Sequence, residues 1–177
     1  MTRDQLQRYF RLGTIRNTNR VLKRLEGYLQ SFRDGYSSVY YLSSQGKEEV
    51  NCKKIRKKGG HVEHYLMRNQ FWLFEGCPSE WRNEVMIDDT KTSLICDAMY
   101  KSSLQYRFLE VDNQQNMKKN REKVRKYKAL MEAGGVTHKL GHFPVLVWLT
   151  TSVNRKKQLT EACQGLPCII YTLSDIY

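Results

Sequence analysis

Phe108-Leu109-Glu110-Val111-Asp112 is the stretch whose reading decides the fold. It is an apolar strand pattern that delivers two carboxylates to its end, with Glu110 following a third acid, Asp97 of Ile95-Cys96-Asp97-Ala98-Met99-Tyr100, by thirteen residues. Two adjacent strands that each bear an acid near one edge offer a hard divalent cation the oxygens it needs, and such a cation can act on a phosphodiester. Asp97, Glu110 and Asp112 are therefore the candidate catalytic residues. Asp97 and Glu110 are the candidate metal ligands, with magnesium the cofactor only if the pair is active. Asp112 places negative charge where a cation would help the developing charge on a phosphate, and this argues against catalysis.

Outward from that strand, regular elements alternate. Upstream, the pattern predicts a helix over His61 to Glu75, stopped by Pro78, and strands over Trp81 to Ile87, Leu94 to Lys101 and Leu104 to Asp112, the last two forming an antiparallel hairpin. Downstream comes a helix from Met117 to about Glu132, with Met117, Val124, Tyr127 and Met131 on one face and seven Lys/Arg covering most of the rest. Gly134-Gly135 ends it. Pro144 to Leu149 is apolar on both faces, as a covered interior strand would be. A helix over Asn154 to Gln164 and a strand over Cys168 to Leu173 complete the chain.

The N-terminal third is different in charge. Residues 1–58 hold 14 Lys/Arg against 5 Asp/Glu, whereas residues 59–177 hold 16 against 13. That imbalance points to a polyanion as the partner of the first module, with double-stranded DNA the one expected. Thr2 is the expected cap of a helix from Arg3 to Phe10. After Gly13 a second helix runs from about Ile15 to Tyr28, gathering Ile15, Thr18, Val21, Leu22, Leu25 and Leu29 on one side and the cations on the other. Arg16, Asn17, Asn19, Arg20, Lys23 and Arg24 are the candidate DNA-binding residues, because Arg and Asn match guanine and adenine edges and Lys and Arg neutralise phosphate. Asp34-Gly35 joins Leu29 to Arg33 and Ser38 to Leu42 as a hairpin, adding Arg33 to the candidate surface. Ser43 or Ser44 caps a helix from Gln45 to about Ile55. The run Lys53 to Lys58 reads either as a phosphate-contacting helix end or as a solvated linker, and Gly59-Gly60 marks the boundary between domains 1–58 and 61–177.

This order, helix, three strands, helix, strand, helix, strand, resembles the PD-(D/E)xK nuclease superfamily. Asp97 matches the aspartate of its second strand and Glu110 the acid of its third, while Asp112 stands where that family has lysine. The resemblance therefore implies an α+β or α/β fold: an N-terminal winged helix-turn-helix and a nuclease-like α-βββ-α-β-α-β domain. Lysines of the basic helix, such as Lys123 or Lys126, replace the missing one only if they point to the acids. Taken together, Val39-Tyr40-Tyr41-Leu42-Ser43-Ser44-Gln45-Gly46, Asp97-Ala98, Phe108 to Asp112 and the basic helix with Tyr127 resemble the replication-relaxation family of plasmids and integrative elements. The family places a further helix ahead of the segment that begins here at Met1. On that pattern a partner protomer or chain covers Leu6, Tyr9 and Phe10.

Two readings stand. One is a DNA-binding accessory protein, a homodimer whose nuclease-like domain is a scaffold that contacts a relaxase or replication protein and needs no cofactor to bind DNA. The other is a magnesium-dependent DNA nuclease targeted by its winged helix. A repressor of the element's own genes would use the same DNA-binding surface. No signal peptide or membrane span is expected, which predicts a cytoplasmic protein. The five cysteines form no Cys-x-x-Cys pair and read as free thiols, the His61/His64 pair reads as helix surface, and Trp81 and Trp148 read as core anchors. Glu84 joins the acids only if it faces their edge.

Overall fold

A computed structural model of the chain describes residues 1–53, 59–89, 91–113 and 115–177. The basic residues 54–58, expected either to end a helix or to form a solvated linker, lie outside the described residues. The chain divides into two compact units, Met1–Asn69 and Gln70–Tyr177. No helix among the described residues is long and apolar enough to cross a membrane.

In the first unit, α1 (Arg3–Tyr9) begins at a capping box: Thr2 Oγ1 accepts from Gln5 N–H at 3.1 Å, and Gln5 Oε1 accepts from Thr2 N–H at 3.1 Å. Thr14 caps α2 (Ile15–Arg24) by accepting from Asn17 N–H at 3.2 Å. This helix stops short of the expected Tyr28, because Gly27 is a weak helix former and Leu29 must already lie in a strand. β1 (Leu29–Asp34) and β2 (Ser37–Leu42) pair antiparallel, with Asp34 opposite Ser37 and Gly35 at φ 55° in the turn. Met1 joins the hairpin edge, its carbonyl accepting from Tyr40 N–H at 2.8 Å. Ser43 caps α3 (Ser44–Glu49), in which a Cβ on Gly46 would lie 2.1 Å from the Tyr28 carbonyl oxygen. Only a glycine permits that approach.

Few side chains of this unit are buried among the described residues, Thr18, Leu22, Val39 and Met67 among them. Ile15, expected to pack, is instead 52% exposed, and Leu25 is exposed as well. Ile15 sits in the first turn of α2 and Leu25 at its C-cap, so the buried stripe is only as long as the middle of the helix.

α4 (Val62–Phe74) carries the division between the units. Beyond it come β3 (Trp81–Asp88), β4 (Ser93–Ser102), β5 (Gln105–Asp112), α5 (Met117–Ala133), α6 (Gly135–Leu140), β6 (Val145–Thr150), α7 (Val153–Ala162), β7 (Cys168–Thr172) and a short 3-10 turn, Leu173–Asp175. The five strands form one sheet in the order β3-β4-β5-β6-β7, with antiparallel pairing as far as β5 and parallel pairing from there. The expected element order is present, with α6 added. Gly134, at φ 77°, closes α5 and opens α6, so the pair of glycines redirects the chain into another helix instead of ending the helical region. β6 lies between β5 and β7 with both faces covered, as its continuous apolar run predicts.

Strand alternation breaks at one level of this sheet. Val85, Ile87, Leu94, Cys96 and Met99 belong to the core that includes Val124, Tyr127 and Leu130 of α5. Trp81 and Tyr100 meet each other instead, with Phe71 of α4 against Tyr100. Between Trp81 and Val85, and between Cys96 and Tyr100, the facing inverts although the spacing is even. The ladder jumps from Asn83–Ala98 to Val85–Cys96, passing over Glu84, at φ 55°, and Asp97. On the other side the β4–β5 ladder ends at Ala98–Leu109. Asp97 therefore sits where the strands part.

Candidate functional site

The candidate DNA-binding residues lie in the first unit. Arg16, Asn19, Arg20, Lys23, Arg24 and Arg33 are exposed, and α2 contains no acidic residue. Asn17 is different: its amide donates to the Leu12 carbonyl at 2.8 Å, and its Oδ1 accepts from Arg20 Nη2 at 2.6 Å. It braces the helix start and aims Arg20, and its side chain is already engaged at both ends. Asn19 and Lys23 line a shallow groove with Glu26, Ser31 and Tyr40, so the helix face continues onto the hairpin. Arg33 lies at the hairpin loop, 3.5 Å from the Tyr36 carbonyl.

The acids of the second unit are not at an open edge. Phe108, Glu110 and Asp112 share the β5 face that α5 covers, leaving Glu110 1% and Asp112 0% exposed. Glu110 accepts from the Tyr127 hydroxyl at 2.5 Å on Oε1 and from the Lys123 ammonium on Oε2. Asp112 receives the Arg155 guanidinium in a two-pronged contact, 2.7 Å on each prong, together with Thr150 Oγ1 at 2.8 Å and Asn120 Nδ2 at 2.9 Å. Asp97 Oδ2 accepts from Val111 N–H at 2.8 Å, capping a backbone donor that the parted ladder leaves unpaired.

These contacts fix the electrostatics. Burial pushes the Glu110 carboxyl up to about 8, against the pull of Lys123 and Tyr127, and the nearby Asp97 charge adds to the rise. Burial alone would lower Lys123, but Glu110 and Asp97 hold it above its ordinary value. Tyr127 is pushed well above the usual phenol range by burial and by Glu110, which keeps it a donor. Burial and Glu110 also push the Cys96 thiol up to about 12, so it is no nucleophile.

In this arrangement Glu110 and Asp112 offer a divalent ion no oxygen that is not already engaged. Both oxygens of Glu110 and both of Asp112 already accept from cations, hydroxyls or an amide, and no group of three or more His, Cys, Asp or Glu among the described residues gathers to hold a metal. Glu84 is exposed and does not complete such a set.

Asp97, Glu110 and Lys123 are thus brought together, whereas Asp112 belongs to a separate network. The sequence reading named Lys123 only conditionally and missed Asn120, Thr150 and Arg155. A signal for Lys123 was present, because it precedes Tyr127 by one helical turn and so shares its side of α5. Asn120 and Val124 continue that side, and Leu130 rather than Met131 completes the buried stripe. Arg155 reaches Asp112 from the first turn of α7, which the β6–α7 connection delivers to the end of β5.

No curated protein and no solved structure matches this chain. A family model described as replication-relaxation matches residues 1–146, a span that runs from α1 into the start of β6 and includes both α2 and the Asp97–Glu110–Lys123 cluster. The chain belongs to the replication-relaxation family.

Proposed function

We propose that this chain is a sequence-specific DNA-binding accessory protein of a plasmid or integrative element, acting in replication, relaxation or conjugative mobilisation. The first unit works as a winged helix, with α2 in the major groove and the β1–β2 hairpin as the wing. The second is a PD-(D/E)xK-like domain that serves as a scaffold. The observation that carries this reading is the acid-free, exposed face of α2, where Arg16, Arg20, Lys23 and Arg24 stand free of carboxylate partners among the described residues. Family membership supports a role in replication or relaxation. The scaffold reading is supported by the closed hydrogen-bond sets of Glu110 and Asp112. Tyr9 and Phe10, exposed at the end of α1, are the surface for a second protomer.

Footprinting on the element's origin region, with random duplex as the control, tests the DNA reading. Protection of the origin alone at matched salt is expected, and equal affinity for both duplexes would refute it. Light scattering tests the dimer, which a purely 21.0 kDa species at micromolar concentration would exclude.

A metal-dependent nuclease is the second reading, favoured by one observation: Lys123 stands beside Glu110, within the influence of Asp97, where the sequence offers no lysine at position 112. Metal-dependent cleavage lost in both Asp97→Ala and Glu110→Ala would establish it. Supercoiled DNA left uncut with magnesium or manganese is the outcome expected of the scaffold.

A further inference from the structure

α5 carries seven Lys/Arg against two Glu, and only part of that excess is used inside the fold. Lys123 is taken by Glu110, and Lys126 donates to the Ser93 carbonyl at 3.1 Å. Arg121, Arg125 and Lys128 form no ion pair among the described residues and line up along one side of the helix at spacings of four and three residues. They form one wall of an open groove of about 340 Å³, whose other wall is Gln158, Glu161 and Ala162 of α7.

We propose that this groove is a second DNA contact, in which Arg121, Arg125 and Lys128 bind the phosphate backbone of a duplex without regard to sequence. Like charges one turn apart oppose helix formation, and a face that serves solubility alone mixes its signs. Here Glu161 is the single acid lining the groove. Docking to a folded protein would call for an apolar or aromatic centre to the patch. No large apolar side chain is exposed on α5, and Val153, exposed at the start of α7, does not line the groove. Long flexible cations without an apolar anchor suit a phosphate backbone. The second unit then adds affinity while α2 selects sequence.

The test uses the full chain and a random-sequence duplex, with affinity measured between about 50 and about 200 mM salt. The triple variant Arg121→Glu, Arg125→Glu, Lys128→Glu should bind at least about tenfold more weakly, and its log–log salt slope should shrink by about 2–3, at roughly 0.9 for each phosphate no longer neutralised. The neutral triple Arg121→Gln, Arg125→Gln, Lys128→Gln should show the same loss in smaller measure, with an unchanged urea midpoint that separates binding from folding. The same substitutions made together with Arg16→Ala, Arg20→Ala and Arg24→Ala keep this surface distinguishable from the α2 reading: weak binding should survive the α2 changes alone and vanish with both sets. Unchanged affinity and slope in both groove variants would overturn the proposal. So would polyglutamate binding that the groove variants abolish while duplex binding is untouched, since the partner would then be an acidic protein.

Discussion

α2 and α5 are both basic and both amphipathic, yet their charges have different fates. In α2 all four cations are exposed, and the helix buries only Thr18 and Leu22. In α5 the longer helix lies over a sheet, so that Asn120, Val124, Tyr127 and Leu130 are buried and Lys123 is drawn in beside them, its side chain 24% exposed. The difference teaches that a cation's role follows from what its helix covers. A cation over solvent remains available to phosphate, whereas one over a buried carboxylate becomes part of the fold.

The sharpest way to break this comparison is to remove a buried partner. Asp112→Ala strands Arg155 and leaves Thr150 and Asn120 without their acceptor, and should cost about 3–5 kcal/mol in urea denaturation. A cost below about 1 kcal/mol, the range of an exposed pair, would mean that the second unit's ionic network is no more structural than a surface ion pair.

Next is Glu110, whose carboxyl rises from 4.5 unfolded to about 8 in the fold. Between those two pH values the folded chain keeps a proton that the unfolded chain has released. Stability should therefore fall as pH climbs through the window, by at most about 1.4 kcal/mol per unit, and Glu110→Gln should flatten the profile. A wild-type profile already flat across the window would show that Lys123 keeps Glu110 ionised throughout.

On the exposed side, Arg20→Ala should leave stability within about 0.5 kcal/mol of the parent, as surface changes do. It should weaken discrimination between the cognate and a random duplex by about 1–3 kcal/mol. Equal loss on both duplexes would demote Arg20 from base reader to phosphate binder.

The smallest effect expected is from Thr14→Ala, which removes the α2 cap and should lower stability by about 1 kcal/mol without altering the salt dependence of DNA binding. A change in that slope would tie the helix start to the phosphate backbone directly.

Much of the fold was legible because its signals are local. Thr2 and Ser43 cap helices as their place in the sequence suggests, each side chain reaching back to the first turn. Asp34-Gly35 turns the hairpin, and Leu146 to Leu149 is apolar enough to be an interior strand. The glycines at 134 and 135 misled, since a left-handed residue that ends one helix also allows the next to start at once. Alternation failed near the acids because the β3–β4 ladder passes over both Glu84, which takes a positive φ, and Asp97, and the facing of each strand changes there.

By itself, then, the sequence determined most of the helices and strands, α6 excepted, where the excess positive charge lies, and that Glu110 and Asp112 share one face of their strand. Only the tertiary structure decided that this face is covered rather than open, that Lys123 meets Glu110, and that Asp112 is held by Arg155, forty-three residues away in the chain. The reason is range. Caps, turns and periodicity are set by neighbours within a few residues, whereas desolvation and ion pairing depend on which distant surfaces meet, and that meeting fixes whether a carboxylate faces water or a guanidinium.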